Sequence, residues 1–443
     1  MTAQIRKLLV CIAVVVLQSC AQNVSQMTAE VLTSSEASFE VESIQILGTE
    51  RDESLVDLAQ NKSGEFAIAG MTEGALDGKP NRLVDAFVAK YDRDGNKLWV
   101  AKFGSEQDDR ATAVAISDDG TVWVSGDTFG SMDGNVNMGE RDGFLAKFSP
   151  VGEQQWIIHI STNVIERARG LAVDARGIAT VVGTTYGEFP GFSNSGKSRE
   201  AWITQIDGDG KQLWLQQFGS DQADTVVDVS VDEDGNSTIC GYTDSVIGQE
   251  FFGVRDAFIG KFTSSGEKSW IYQFGTSSTD ICYGQWVDAN GNIFAVGVTE
   301  GAIKGGIHFG LQDGWVLKLD PDGKFQWATQ VGTTGEDALS KVATNSAGMV
   351  IVGGVSTGAF NGEVSVGSYD AVLFGLDAGG REINSKTFGT NLDDAVNGIA
   401  VTDKQEVLVA GTTGPGMFGM VGFGDKDDFD VFVARFKPLS GGK

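Results

Sequence analysis

Residues 103–160 read FGSEQDDRATAVAISDDGTVWVSGDTFGSMDGNVNMGERDGFLAKFSPVGEQQWIIHI. Ala113 to Ile116 is a run of small and apolar residues, Ser117-Asp118-Asp119-Gly120 has turn chemistry, and Thr121 to Ser125 returns as a second run. A long loop follows from Gly126 to Arg141. Gly143 to Phe148 then reads as a third strand, Ser149-Pro150-Val151-Gly152 as a second turn, and Gln154 to Ile160 as a fourth strand carrying Trp156. The stretch predicts an antiparallel meander of four strands.

The same unit recurs along the whole chain. Its clearest mark is G-x-[ST], at Gly70/Thr72, Gly126/Thr128, Gly183/Thr185, Gly241/Thr243, Gly297/Thr299, Gly354/Ser356 and Gly411/Thr413. An acidic residue before a short apolar run repeats in register, at Asp85, Asp142, Glu200, Asp256, Asp313, Asp370 and Asp430. The period is about 57 residues, and one such unit cannot bury its own apolar face, so the copies must pack on each other. Meanders of this length close radially, which leaves only short protected edges. The expected fold is all-β, a seven-bladed β-propeller of four-stranded antiparallel blades. The last copy stops after its third strand, Val431 to Phe436, while Phe39 to Leu47 matches a fourth strand ahead of the first complete unit. The N-terminal segment is therefore expected to complete the last blade, since an open joint would expose two unpaired strand edges. Fourth-strand tryptophans at Trp99, Trp156, Trp214, Trp270 and Trp327 are expected to pack blade against blade.

Composition agrees with many short strands joined by tight turns: of 443 residues, 60 are glycine and only 6 proline, with 26 phenylalanines and 9 tryptophans. With 33 basic and 60 acidic side chains the net charge is -27, which argues against nucleic acid as a partner. Such a balance suits cations, basic partners or plain solubility.

The first residues differ in kind. Arg6 and Lys7 precede the apolar run Leu8 to Leu17, which is too short to span a bilayer and has the form of an export signal. The run ends Leu17-Gln18-Ser19-Cys20, which resembles the lipobox of bacterial lipoproteins. That resemblance implies a signal peptide over 1–19, a mature chain beginning at lipidated Cys20, and stable anchoring of the protein in the bacterial cell envelope. Ala21 after the cysteine implies the outer membrane. Residues 20–38 are polar and without periodicity and read as a flexible tether, leaving 39–443 for the propeller. Cys240 and Cys282, on adjacent repeats, either pair or stay as buried free thiols.

Gly70 to Trp99, with Asp85-Ala86-Phe87-Val88-Ala89-Lys90 and Asp92-Arg93-Asp94-Gly95, resembles the seven-bladed β-propeller repeats of bacterial surface proteins, the SBBP repeat family. The resemblance covers nearly all of the expected mature chain and implies the fold; it brings no catalytic residues. The D-x-x-G and tryptophan pattern is more weakly similar to quinoprotein-type propellers.

In a meander, the loops entering the first strand and those joining the second to the third emerge on one face. Entering the first strand is an acidic column, Glu53, Asp109, Glu166, Asp224, Asp280, Asp337 and Asp394, which is the candidate ring for a cation, calcium included, or another ligand at the channel mouth. The competing reading is that each acid accepts backbone N–H bonds from its own loop. The D-x-D-G turns at Asp92, Asp207 and Asp320 read as hairpin turns, because no twelfth-position glutamate follows at calcium-loop spacing. The long loops carry an apolar residue before a glycine, at Leu76, Met132, Phe189, Val246, Ile303, Phe360 and Met417, which suggests a tucked plug. Where the copies diverge, Tyr186, Phe189, Phe192, Phe251, Phe252, Met417 and Phe418 are candidates for a partner surface. With only His159 and His308 there is no material for a zinc cluster or a triad using both. The expected function is a non-enzymatic binding or scaffold module for an envelope protein or glycan, with no cofactor. The alternatives are a carboxylate-based carbohydrate-active enzyme and a quinoprotein-like oxidoreductase.

Overall fold

A computed structural model describes residues 39–78, 83–194, 198–402, 404–425 and 427–437. The expected signal peptide, Cys20 and the tether lie outside the described residues. The strands form seven four-stranded antiparallel sheets, as the repeat requires. Their inner strands are Glu53–Gln60, Asp109–Ile116, Glu166–Val173, Asp224–Val231, Asp280–Val287, Asp337–Thr344 and Ala395–Val401, and these define blades one to seven. Six sheets are continuous in sequence; in the seventh, the outer strand is Val41–Leu47, paired antiparallel with Asp430–Phe436. The N-terminal segment thus closes the ring.

The inner strands start four residues before the apolar run Ala113 to Ile116 suggests, at Asp109 in that blade. A β-bulge is the reason. Each inner strand slips by one residue, between Leu55 and Asp57, Ala111 and Ala113, Ala168 and Gly170, Val226 and Asp228, Cys282 and Gly284, Leu339 and Lys341, and Val396 and Gly398. A bulge breaks the period-two alternation from which a strand is recognised, so its first half is not visible as a pattern. It also explains the glycine of G-x-[ST]. That glycine stands against the carbonyl two residues into the inner strand, where a Cβ would lie between 1.8 Å (Ile281 to Gly297) and 2.0 Å (Arg110 to Gly126) from the oxygen.

The blades are joined by the expected tryptophans. Trp99 Nε1 donates to the carbonyl of Pro150 at 3.0 Å, Trp214 to Ser264 at 3.0 Å and Trp327 to Ala378 at 3.1 Å, each one blade on. The ring lies under the turn glycine of the neighbouring blade: a Cβ at Gly152 would meet Trp99 at 2.7 Å and one at Gly380 would meet Trp327 at 2.5 Å. The D-x-x-G turn therefore needs glycine for its left-handed φ, 83° at Gly380 of Asp377-Ala378-Gly379-Gly380, and for this close approach. The aspartate is consumed by the turn: Asp92 Oδ1 accepts from the N–H of Asp94 (2.9 Å) and Asn96 (2.8 Å). Cys240 and Cys282 are buried free thiols in one apolar cluster, not a disulfide.

Candidate functional site

The acidic column at the start of the inner strands is buried, with Glu53, Asp109, Glu166, Asp224, Asp280 and Asp394 fully inaccessible and Asp337 nearly so. Each carboxylate accepts from the N–H and hydroxyl of a serine or threonine four residues earlier, as in Thr162 N to Glu166 (2.6 Å) with Thr162 Oγ1 (2.6 Å), and Thr276 N to Asp280 (2.6 Å) with Thr276 Oγ1 (2.9 Å). The hydroxyl of G-x-[ST] closes the other side, from Thr72 to Glu53 and from Thr413 to Asp394 at 2.6 Å and from Thr185 to Glu166 at 2.7 Å. These acids do not form an open ring at the channel mouth. They tie each entry loop to the second strand, and the early start of the inner strand turns them into the joint between blades. The loop signal G-[ST]-x-x-x-[DE], present at Gly104-Ser105 to Asp109 and five other copies, carries this geometry in the sequence.

The second acidic column belongs to the same joints. A glutamine of the fourth strand donates to it, from Gln217 to Glu200 (2.7 Å), Gln273 to Asp256 (2.8 Å) and Gln330 to Asp313 (2.7 Å), and His159 takes that place beside Asp142 at 2.9 Å. Between the columns sits a glycine: a Cβ at Gly275 would be 2.6 Å from Asp256 and 2.9 Å from Asp280. Burial, opposed by these hydrogen bonds, raises the pKa of all seven first-column acids. Burial likewise pushes Asp430 up to about 6.

The loop candidates divide. Phe189 and Met417 are buried plugs, Phe189 set edge-on against Trp202 at 6.0 Å. They cannot offer a surface, because their side chains fill the space under their own loops. Phe192 and Phe251 are half-buried, whereas Tyr186, Phe252 and Phe418 are exposed. In the fourth blade the plug is Ile247, whose N–H donates to Gln273 (2.9 Å) as Phe189 N does to Gln217 (2.9 Å). Val246 is exposed instead; Ile247 keeps the plug's place four residues after Thr243, and it is Gly248 that comes one residue early.

Around these plugs the loop face carries an apolar crown that the repeat pattern does not advertise. Met138, Phe252, Phe309, Val366 and Phe423 are 61, 43, 46, 54 and 46 % exposed. Each gives its N–H to the second-column acid of its blade, at 3.0 Å for Met138 and 2.8 Å for the others. The backbone is thus fixed while the side chain faces water.

Inside the channel the residue after each bulge is special in three blades. Lys341 Nζ binds Asp57 at 2.6 Å, Asp57 accepts from Val114 N (3.1 Å), and Asp228 accepts from Gln285 N (2.9 Å). Burial pushes Asp228 up to about 6, against the opposing pull of Lys341. Among the described residues no group of three or more histidine, cysteine, aspartate or glutamate side chains is arranged to hold a metal ion.

No family model matches the chain. It is 23% identical over 401 residues to the regulatory protein FlaEY of Caulobacter vibrioides, covering 80% of this chain and 41% of that protein. It is 27% identical over 126 residues to an uncharacterised WD repeat-containing protein, L264, of Acanthamoeba polyphaga mimivirus, covering 26% of this chain and 9% of that one. The chain thus spans well under half the length of either relative. The WD40 domain of Pan2 from Neurospora crassa superposes with a TM-score of 0.51 at 11% identity, over 90% of this chain and 97% of that domain, a likeness of fold alone.

Proposed function

We propose that this chain is a cell-envelope lipoprotein anchored through Cys20, whose propeller is a non-enzymatic binding or scaffold module for protein or glycan and works through its loop face. The apolar crown carries the reading. Side chains of this size, exposed in five blades where the backbone N–H meets the second-column acid, form the kind of patch that marks an interaction site on a soluble surface. The acids and histidines that would serve an enzyme are engaged in the joints: His159 with Asp142 at 2.9 Å and His308 with Asp313 at 3.2 Å. The lipobox-like end of the apolar run and the SBBP-like repeat support the envelope setting, and the likeness to a regulatory protein suits a module without turnover.

The expected result is that cells fed a clickable palmitate label the wild type, and that Cys20→Ser abolishes both the label and membrane fractionation. Cross-linking in those cells is expected to capture a partner with the wild type and to lose it with the triple variant Phe252→Ser, Phe309→Ser, Phe423→Ser. An unlabelled wild type contradicts the anchor, and an unchanged set of captured proteins contradicts the face.

A further inference from the structure

In a chain of net charge -27, three arginines of the third blade gather at the loop-face mouth of the channel, and the one carboxylate acting on two of them, Asp127, is already paired with Arg141 at 3.2 Å. Arg167 is the second residue of its inner strand, Arg169 occupies the bulge, and Arg199 immediately precedes the third strand Glu200–Ile206. The Nε of each is buried and has no hydrogen-bond partner among the described residues. No ion pair among the described residues engages any of the three. Nearby arginines are treated differently: Arg141 faces Asp127 at 3.2 Å and Arg255 is held by Asp244 at 2.6 Å. Tyr242 on the next blade lies 5.6 Å from the Arg199 guanidinium and 4.8 Å from that of Arg255, giving the mouth an aromatic wall. Behind Arg169 the channel holds a cavity of about 240 Å³, reaching Asp228 and Lys341.

Burying the Nε of a guanidinium without a partner is unfavourable, and grouping three like charges adds repulsion. Burial lowers the Arg169 pKa, with Arg167 and Arg199 adding to the fall and Tyr242 and Asp127 opposing it. A charge arrangement that weakens the free protein is explained if the missing partner arrives from solution. Arginine is the side chain whose planar fork matches carboxylate and phosphate oxygens two at a time. We infer that Arg167, Arg169 and Arg199 form a binding site for a small polyanion carrying two or more phosphate or carboxylate groups, seated at the channel mouth. The inference rests on the loop face being the working face, and supplies the chemistry of one ligand it takes. The cavity admits a small molecule or a projecting group, and Lys341, Asp57 and Asp228 line its wall together with Arg169.

Calorimetric titration of the full chain with pyrophosphate and, separately, citrate tests this at low salt, where surface charge is least screened. At least one probe is expected to bind below millimolar concentration, and whichever binds tighter assigns phosphate or carboxylate. Arg169→Gln is expected to weaken that binding by about tenfold or more, since hydrogen bonds to a charged group are among the stronger ones. Arg381→Gln, on an exposed turn of the opposite face, is expected to leave it unchanged. The unfolding temperature of ligand-free Arg169→Met is expected to equal or exceed that of the wild type, because an uncompensated charge has gone. Failure of both probes to bind, equal binding by Arg169→Gln, or a lower unfolding temperature for free Arg169→Met would each overturn the inference. None of these results bears on capture by the apolar crown, so the two readings fail separately.

Discussion

Gly297→Ala is expected to lower the unfolding temperature of the ring by about 4–6 °C, or to leave the protein insoluble, from a cost of roughly 3–5 kcal/mol. The added Cβ would lie 1.8 Å from the Ile281 carbonyl oxygen and 2.6 Å from the Trp315 ring. The first contact is with backbone, and that backbone is pinned: Ile281 follows Asp280, whose carboxylate fixes the entry loop, and is followed by Cys282 and then the bulge between Cys282 and Gly284. No rotamer change relieves it, and moving the strand would break the joint to the neighbouring blade. Gly379→Ala is the matched control, since its nearest neighbour would be 3.4 Å away and its φ is ordinary. Thermal melts followed by near-ultraviolet circular dichroism check both. A Gly297→Ala protein that melts with the wild type would show that the inner strand is free to shift, and that the bulge is no constraint.

Removal of residues 39–47 is expected to have the second largest effect, loss of the soluble monomer. Without Val41–Leu47, the strand Asp430–Phe436 becomes an edge while its residues Val431, Phe432 and Ala434 remain apolar. Deletion also uncovers Phe436, on which Phe39 packs edge-on at 6.0 Å, and removes the bond from Gln45 Nε2 to the Gly95 carbonyl (2.8 Å) that ties the closing strand to blade one. A long apolar edge is a template for pairing with another chain, so the truncated protein is expected to elute as aggregate in size-exclusion chromatography. A monomeric truncated protein with an unchanged melt would mean that the ring is held by its other joints alone.

What was legible in the sequence follows from what repetition encodes. G-x-[ST], the D-x-x-G turns and the tryptophans recur because backbone geometry demands them in every copy, so they announce the blade, the joint and the closing strand without any structure. The inner strand was only half legible, because the bulge moves residues such as Thr112 and Arg169 out of alternation. The acids Glu53 to Asp394 were visible as a column, but a column looks the same whether it opens on a channel or closes a joint. Only burial and the bonds from residues such as Thr49 and Thr162 separate the two. The plug at Ile247 was missed because Gly248 stands one residue early, so that counting back from the glycine lands on Val246. The arginines of blade three had a signal that went unused: Arg167, Arg169 and Arg199 stand where most other copies carry uncharged residues, against the charge of the whole chain.

The loop face, rather than the repeated interior or the opposite face, is expected to meet the partner. Photo-cross-linking in native cells from one position on each face tests it, with the reactive side chain at Phe309 of the crown or at Asp322 of an exposed turn at the far end of the same blade. A discrete heavier adduct is expected from position 309 and none from position 322. An adduct from position 322 with none from 309 would contradict it.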